Sequence, residues 1–313
     1  MKQLVILSGK GGTGKTSVTA AFAQLASLGP FANQVVIADA DVDAANLQLV
    51  LQPQLVATQE FRGGQVARID EDRCAGCGEC EALCRFAAIE ERDGYYAVDP
   101  IACDGCAACV YQCPTGAITM HEQVAGHCFV SDSRYGPLYH AELLPGQENS
   151  GKLVTLVKQQ ARQRALDEDR RLLIVDGPPG IGCPVIAAVT GADLALIVTE
   201  ATVAGNHDLH RTLATVRHFG VPALVCINKA DLYPAMAQEI EAHCCADAIG
   251  MVGLIPFDPT VADAMVAGAA VTAFSPDSPA AVAISALWER VAATLAAPAA
   301  PSTNPIHPSG DMQ

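Results

Sequence analysis

Residues 8–17 read Ser-Gly-Lys-Gly-Gly-Thr-Gly-Lys-Thr-Ser (SGKGGTGKTS). Gly9, Gly14, Lys15 and Thr16 complete the pattern G-x-x-x-x-G-K-T. An apolar run, Lys2 to Leu7 (KQLVIL), precedes it as a buried strand, and a helical stretch follows from Lys15 to Leu28. Glycines in such a loop let backbone N–H groups converge on phosphate oxygens, and the helix N-terminus adds its partial positive charge. The loop Gly9, Lys10, Gly11, Gly12, Thr13, Gly14, Lys15, Thr16 and Ser17 therefore reads as a nucleotide-binding stretch. Lys15 would reach the β/γ-phosphates, and the Thr16 hydroxyl would ligate Mg²⁺.

The rest of the chain repeats the strand-then-helix rhythm. QVVIA (34–38) ends at Asp39, and LLIVD (172–176), LALIV (194–198) and ALVCIN (223–228) follow, separated by helical stretches of the length a crossover needs. This alternation implies an α/β fold around a mainly parallel, doubly wound sheet. Half of the 313 residues are hydrophobic and only 5% are aromatic, which suits aliphatic strands buried on both faces. From Phe61 to Met120 the aliphatic runs vanish while Cys, Gly and charge rise, and strand signals return near His127–Val130. The expected organisation is a discontinuous nucleotide domain (1–60 and 121–297), an inserted α+β module (61–120) and a disordered Pro/Ser-rich tail (298–313).

Within the insert, Cys74, Cys77, Cys80 and Cys84 read C-x2-C-x2-C-x3-C, and Cys103, Cys106, Cys109 and Cys113 repeat it at an offset of 29 residues. Ala88-Ile89 recurs as Ala117-Ile118 at the same offset, so the duplication is wider than the cysteines. A structural zinc site typically uses separated C-x2-C pairs instead. The pattern resembles a bacterial two-[4Fe–4S] ferredoxin, in which three thiolates come from one turn and the fourth from the other half. The resemblance implies one cluster on Cys74, Cys77, Cys80 and Cys113, and another on Cys103, Cys106, Cys109 and Cys84. Pro114 follows Cys113 as that family expects, whereas Arg85 follows Cys84 where proline is usual. Ten acidic residues and four arginines lie between Arg68 and Met120, so the module suits a basic partner surface, if any.

The extra lysine of the first loop, Lys10, resembles the deviant Walker A loop of the MinD/ParA, Mrp and nitrogenase iron protein group of P-loop ATPases. That resemblance implies an ATP-dependent dimer, homo- or hetero-, in which Lys10 reaches the partner's nucleotide. DADVDAANL (39–47) is similar to that group's switch I, with Asp39 and Asp41 as the acids that position the attacking water and Asp43 as a third candidate. LLIVDGPPG (172–180) resembles Walker B running into switch II, with Asp176 holding Mg²⁺. INKAD (227–231) has two readings: the guanine-reading motif of GTPases, or an adenine-contacting Asn228 as in the ATPase group. Lys10 favours ATP. IPFDP (255–259) resembles the loop beside the base, with no residue assigned.

Other features exclude more than they assign. A formal charge of −15 with no Lys/Arg-rich run excludes nucleic acid as an expected partner. No run approaches the about 18 apolar residues of a spanning helix, and Met1–Ser8 is too short for an export signal, so a cytoplasmic location without a membrane anchor is expected. Cys183, seven residues after Asp176, has the position of a cluster-ligating cysteine in the nitrogenase iron protein, but a small buried or redox-contact residue is the simpler reading. His207 and His210 read as a polar helix face, Lys152 as a helix-start lysine, and Cys128, Cys226, Cys244 and Cys245 as core or near-core thiols. An ATP-driven redox switch with an unidentified redox partner protein is the leading function. An ATP-dependent Fe–S carrier, or a MinD/ParA-like positioning ATPase with structural or sensory clusters, remains open.

Overall fold

A computed structural model describes residues 1–147 and 150–297. The expected tail, 298–313, lies outside the described residues. Strands β1 (Lys2–Ser8), β2 (Val35–Asp39), β3 (Gln54–Ile69), β4 (Ile89–Arg92), β5 (Tyr95–Val98), β6 (Ile118–Ser133), β7 (Gly136–Leu143), β8 (Leu172–Pro179), β9 (Leu194–Glu200), β10 (Ala223–Asn228) and β11 (Gly250–Ile255) alternate with eleven α-helices. The helices are α1 (Lys15–Leu28), α2 (Leu47–Leu51), α3 (Glu79–Leu83), α4 (Ala108–Gln112), α5 (Ser150–Asp167), α6 (Cys183–Val189), α7 (Val203–His218), α8 (Pro234–Ala246), α9 (Thr260–Val266), α10 (Val271–Phe274) and α11 (Pro279–Ala296).

Nine strands form one sheet in the order β11-β10-β9-β1-β8-β2-β7-β6-β3. Pairing is parallel from β11 to β7 and antiparallel from β7 through β6 to β3. Side chains alternate between the two faces along each strand. In β1, Val5 and Leu7 enter a core built with α5, α6, α7 and α8, while Leu4 and Ile6 enter a second core with α1, α2 and α11. In the second core Trp288 lies 5.1 Å from Phe22 and 6.2 Å from Phe31, ring centre to ring centre. Because both faces are covered, β1, β2 and β8 read as unbroken aliphatic runs.

The insert is not joined through a linker. The boundary expected at 60/61 falls inside β3, and that at 120/121 falls inside β6. β6 pairs with β7 only as far as Gly126, and the β3–β6 register shifts between Phe61 and Gln65. Beyond that point the two strands continue as a two-stranded arm. Such an arm has no helix layer, so its residues alternate instead of forming aliphatic runs, and the strand signal before His127 is weak. At its end a small core of Ala67, Ile69, Cys80, Ile89, Tyr96 and Ile118 packs with the β4–β5 hairpin. Among the described residues, no helix is long and apolar enough to cross a membrane.

Candidate functional site

Two groups of side chains carry chemistry, one at the C-terminal end of the parallel strands and one at the end of the arm. At the first, β1 runs into the glycine loop and α1 begins at Lys15. Gly14 caps that helix with φ of +89°, a conformation that L side chains avoid. A Cβ there would also stand 2.2 Å from Asn228 Nδ2. Asn228 ends β10 and donates that amide to the Thr13 carbonyl at 2.8 Å, so in this structure it holds the loop in shape.

Lys15 is buried and its ammonium stands 3.0 Å from Asp176 Oδ1 and 3.5 Å from Asp41 Oδ2. Two hydroxyls complete the surroundings of Asp176. Thr16 donates to Oδ2 and Thr19 to Oδ1, each at 2.8 Å. Asp39 has no such outlook: its carboxylate accepts the backbone N–H groups of Asp41 (3.1 Å) and Leu47 (3.0 Å) and so shapes the loop that carries Asp41.

Three carboxylates thus surround one ammonium. Burial, then the Asp176 charge, push Asp39 up to about 7. Burial raises Asp41 as well, against the pull of Lys15. Burial lowers the Lys15 pKa, yet Asp176, Asp41 and Asp39 outweigh it and the net shift is upward. The surplus negative charge and the all-oxygen donors of Asp41, Asp176 and Thr16 fit a hard divalent cation such as Mg²⁺.

Lys10 stays apart from this cluster. Its ammonium lies 3.5 Å from Glu200 Oε2 with the side chain 41% exposed, while Lys229 takes the other Glu200 oxygen at 2.6 Å. Beside the loop is a mostly apolar cavity of about 380 Å³, lined among others by Gly12, Asn228, Pro256, Phe257 and Met265. Two acids near it already serve backbone amides: Asp258, in its lining, accepts from Thr260 N and Ala280 N, and Asp231, outside the lining, accepts from the N–H of the lining residue Phe257.

At the end of the arm, the 29-residue repeat is visible in the backbone. α3 and α4 are equivalent, and so are the left-handed pairs Gly76/Gly105, Gly78/Ala107 and Ala87/Gly116. A Cβ on Gly76 would meet the Gly94 carbonyl at 2.7 Å, and one on Gly105 the Gln65 carbonyl at 2.2 Å, again 29 residues apart. Ala88 N donates to Cys84 Sγ at 3.4 Å and Ala117 N to Cys113 Sγ at 3.3 Å, the polarity a thiolate ligand requires.

Cys74, Cys77, Cys80 and Cys113 line one cavity, and Cys84, Cys103, Cys106 and Cys109 line another. All eight are free thiols. Each half therefore lends its last cysteine to the other half's triplet, and these donor sets fit [4Fe–4S] clusters.

The remaining sequence candidates separate. Cys128, Cys226 and Cys244 are buried, but Cys245 is exposed: it follows Cys244 on α8 and faces away from the core. Cys183 is exposed at the first position of α6, against α5 at Gly151. His207 contacts Asp208, while His210 lies against His243 with ring centres 3.9 Å apart and the rings tilted by 43°. Lys152 is exposed on α5. Among the described residues, no three His, Cys, Asp or Glu side chains converge closely enough to hold a single metal ion.

Three functional contacts escaped the sequence. Thr19 carries a signal, a hydroxyl one helical turn after Lys15 and hence on the same face. Glu200 ends β9 with no motif around it. Lys158, on α5, donates to the carbonyls of Ala187, Ala188 and Thr190 and so holds the C-terminal end of α6.

Comparison with known proteins bears on both sites. A family profile described as the CobQ/CobB/MinD/ParA nucleotide binding domain matches residues 4–271. An uncharacterized protein of Methanocaldococcus jannaschii is 35% identical over 227 residues, covering 72% of this chain and 78% of its own. An uncharacterized ferredoxin of the same organism is 34% identical over 68 residues, covering 19% of this chain and 41% of its own. The Pyrococcus horikoshii septum site-determining protein MinD, solved with Mg-ADP, superposes with a TM-score of 0.55 at 18% identity, covering 93% of this chain and 95% of that one.

Proposed function

Because this chain belongs to the CobQ/CobB/MinD/ParA nucleotide-binding family, we propose that it hydrolyses ATP and couples a nucleotide-dependent dimer switch to electron transfer through two [4Fe–4S] clusters. Thr16 and Asp176 hold Mg²⁺, Lys15 leaves Asp176 for the β/γ-phosphates, and Asp41 positions the attacking water. Asp39 serves by holding the Asp41 loop. The apolar cavity beside Gly12 takes adenine, and the prior engagement of Asp231 by Phe257 N disfavours guanine. Lys10, half exposed and apart from Lys15, exchanges its Glu200 contact for the nucleotide of a second subunit, identical or related.

Cys74, Cys77, Cys80 and Cys113 hold one cluster, and Cys103, Cys106, Cys109 and Cys84 the other. Bound there, each supplies a one-electron couple. The proposed coupling needs a redox partner protein.

The observation that carries this reading is the continuity of β3 and β6. Both run unbroken from the nucleotide sheet into the small core that contains Cys80 and is bordered by Cys74, Cys84, Cys103, Cys109 and Cys113. A shift of the nucleotide sheet therefore has a continuous backbone route to the sulfurs, through the register shift at Phe61–Gln65.

Potentiometric EPR of anaerobically purified protein, with and without Mg-ATP, tests it. A midpoint shift of about 60 mV corresponds to about 1.4 kcal/mol of coupling for one electron. Unchanged potentials and unchanged reduction rates in the presence of Mg-ATP would refute the coupling.

A further inference from the structure

The two halves of the cysteine module are equivalent in backbone but not in surface. Applying the 29-residue offset to the lining of each cavity pairs Val98 with Ile69, Ala88 with Ala117 and Ile89 with Ile118, whereas Asp104 pairs with Ala75, Ala108 with Glu79 and Arg85 with Pro114. At another pair the sizes diverge. Tyr96 projects into the Cys74/Cys77/Cys80/Cys113 cavity, and its counterpart in the other cavity is Ala67. The first cavity measures about 20 Å³ and the second about 400 Å³.

The rims diverge as well. Leu83, Phe86 and Ile101 are 42%, 44% and 76% exposed around the second set. Their counterparts around the first set are Gln112, Thr115 and Asp72. The three apolar residues form one surface, because Leu83 and Phe86 border the large cavity while Phe86 and Ile101 border an adjoining cavity of about 210 Å³. A duplicated module has broken its symmetry by making one rim apolar. Three large apolar side chains left in water on one side carry a cost that docking removes.

We propose that the face formed by Leu83, Phe86 and Ile101 is the docking surface for a soluble electron-exchanging protein with an apolar centre and a basic rim. The deduction rests on the Fe–S reading above. Charge selects the partner: the module between Arg68 and Met120 carries ten acidic residues against four arginines, and at this face Asp104 borders both the large and the adjoining cavity while Arg85 borders the large one alone. Opposite charges on the rims steer the encounter, while the apolar centre sets its lifetime. One electron passes per encounter between the group on Cys84, Cys103, Cys106 and Cys109 and the partner's own couple, with no bond made or broken.

Cytochrome c, a basic protein with an exposed haem edge, serves as probe. Its dissociation constant for the holoprotein is measured by calorimetry at low salt. Its reduction rate is then measured by stopped flow after the chain has been reduced with dithionite and desalted.

The variant L83Q/F86T/I101Q alters exposed side chains without changing the charge, and iron and sulfide content report its integrity. It is expected to weaken binding about tenfold or more and to slow cytochrome c reduction in step, while reduction of methyl viologen stays unchanged. The variant Q112A/T115A, on the rim of the first set, is expected to leave binding unchanged. Equal binding by wild type and the triple variant, or equal weakening by the two variants, would overturn the proposal. So would loss of a self-associated state in the triple variant with the probe's affinity retained, which would make the patch a contact between copies. A reconstituted wild type lacking Fe–S clusters would instead overturn the underlying reading, and this one with it.

Discussion

Replacing Thr19 with valine isolates one contact of the nucleotide site. Thr19 is fully buried, and its hydroxyl lies 2.8 Å from Asp176 Oδ1 and 3.0 Å from the Lys15 carbonyl. One hydroxyl hydrogen serves one acceptor at a time, and the carboxylate is the closer and more strongly charged. Asp176 Oδ1 has Lys15 as its other donor. In the proposed cycle Lys15 moves to the phosphates and Thr16 to the cation, so Thr19 is left to hold Asp176 in position. Valine keeps the shape of threonine and opens no cavity, which confines the loss to the hydrogen bond. A bond to a charged acceptor is worth about 1.5–3 kcal/mol, or about 10- to 100-fold in rate where it is expressed in the transition state. The assay is steady-state ATPase activity across a Mg²⁺ titration. Thr19→Val should lower kcat by that factor and raise the half-saturating Mg²⁺ concentration, with Mg-free nucleotide affinity little changed. Thr19→Ser should restore both. A Thr19→Val protein with wild-type kcat and wild-type Mg²⁺ dependence would refute the positioning role.

Gly14→Ala forces a side chain into a left-handed position, at about 1–2 kcal/mol, and drives its Cβ against Asn228 Nδ2. Nucleotide binding, followed by fluorescence of a labelled analogue, should fall more than tenfold. The pH dependence of the nucleotide-free protein follows from Asp39, whose pKa rises from 3.8 to about 7 on folding. The folded chain binds that proton more tightly, so its contribution to stability is complete below the unfolded value and is lost as pH rises through about 7. Wild type should therefore gain thermal stability between pH 8 and pH 5, and Asp39→Asn should flatten the trend; an equally steep trend in the variant would contradict the assignment. Tyr96→Ala should cost about 3–5 kcal/mol in the stability of the cysteine module, as for other buried aromatics cut to alanine. Chemical denaturation monitored by cluster absorbance reads this out. Lys158→Met leaves the Ala187, Ala188 and Thr190 carbonyls without their donor, and should loosen α6, seen as faster amide exchange at its C-terminal end.

The parts of the molecule that the sequence made legible are those whose physics is local. The glycine loop needs its residues adjacent, so its place between β1 and α1 and the helix bounds Lys15–Leu28 followed from the order of residues alone. β8, β9 and β10 were equally readable, since strands covered on both faces must be aliphatic throughout. The doubled cysteine spacing announced its own repeat. Tertiary structure decided the rest, because it depends on groups far apart in the chain meeting at one place. Thr19 reaches Asp176 across 157 residues, and Asn228 reaches Thr13 across 215. The arm of β3 and β6 was hidden because a two-stranded ribbon has no second layer to demand a hydrophobic pattern. The different surroundings of Asp39 and Asp41, two acids that look alike in DADVD, were decided by the tertiary fold, which turns one carboxylate toward the loop's own backbone and the other toward Lys15. Likewise, the inequality of the two cysteine cavities, with Tyr96 lining one and Ala67 the other, became visible only after the halves had folded onto each other.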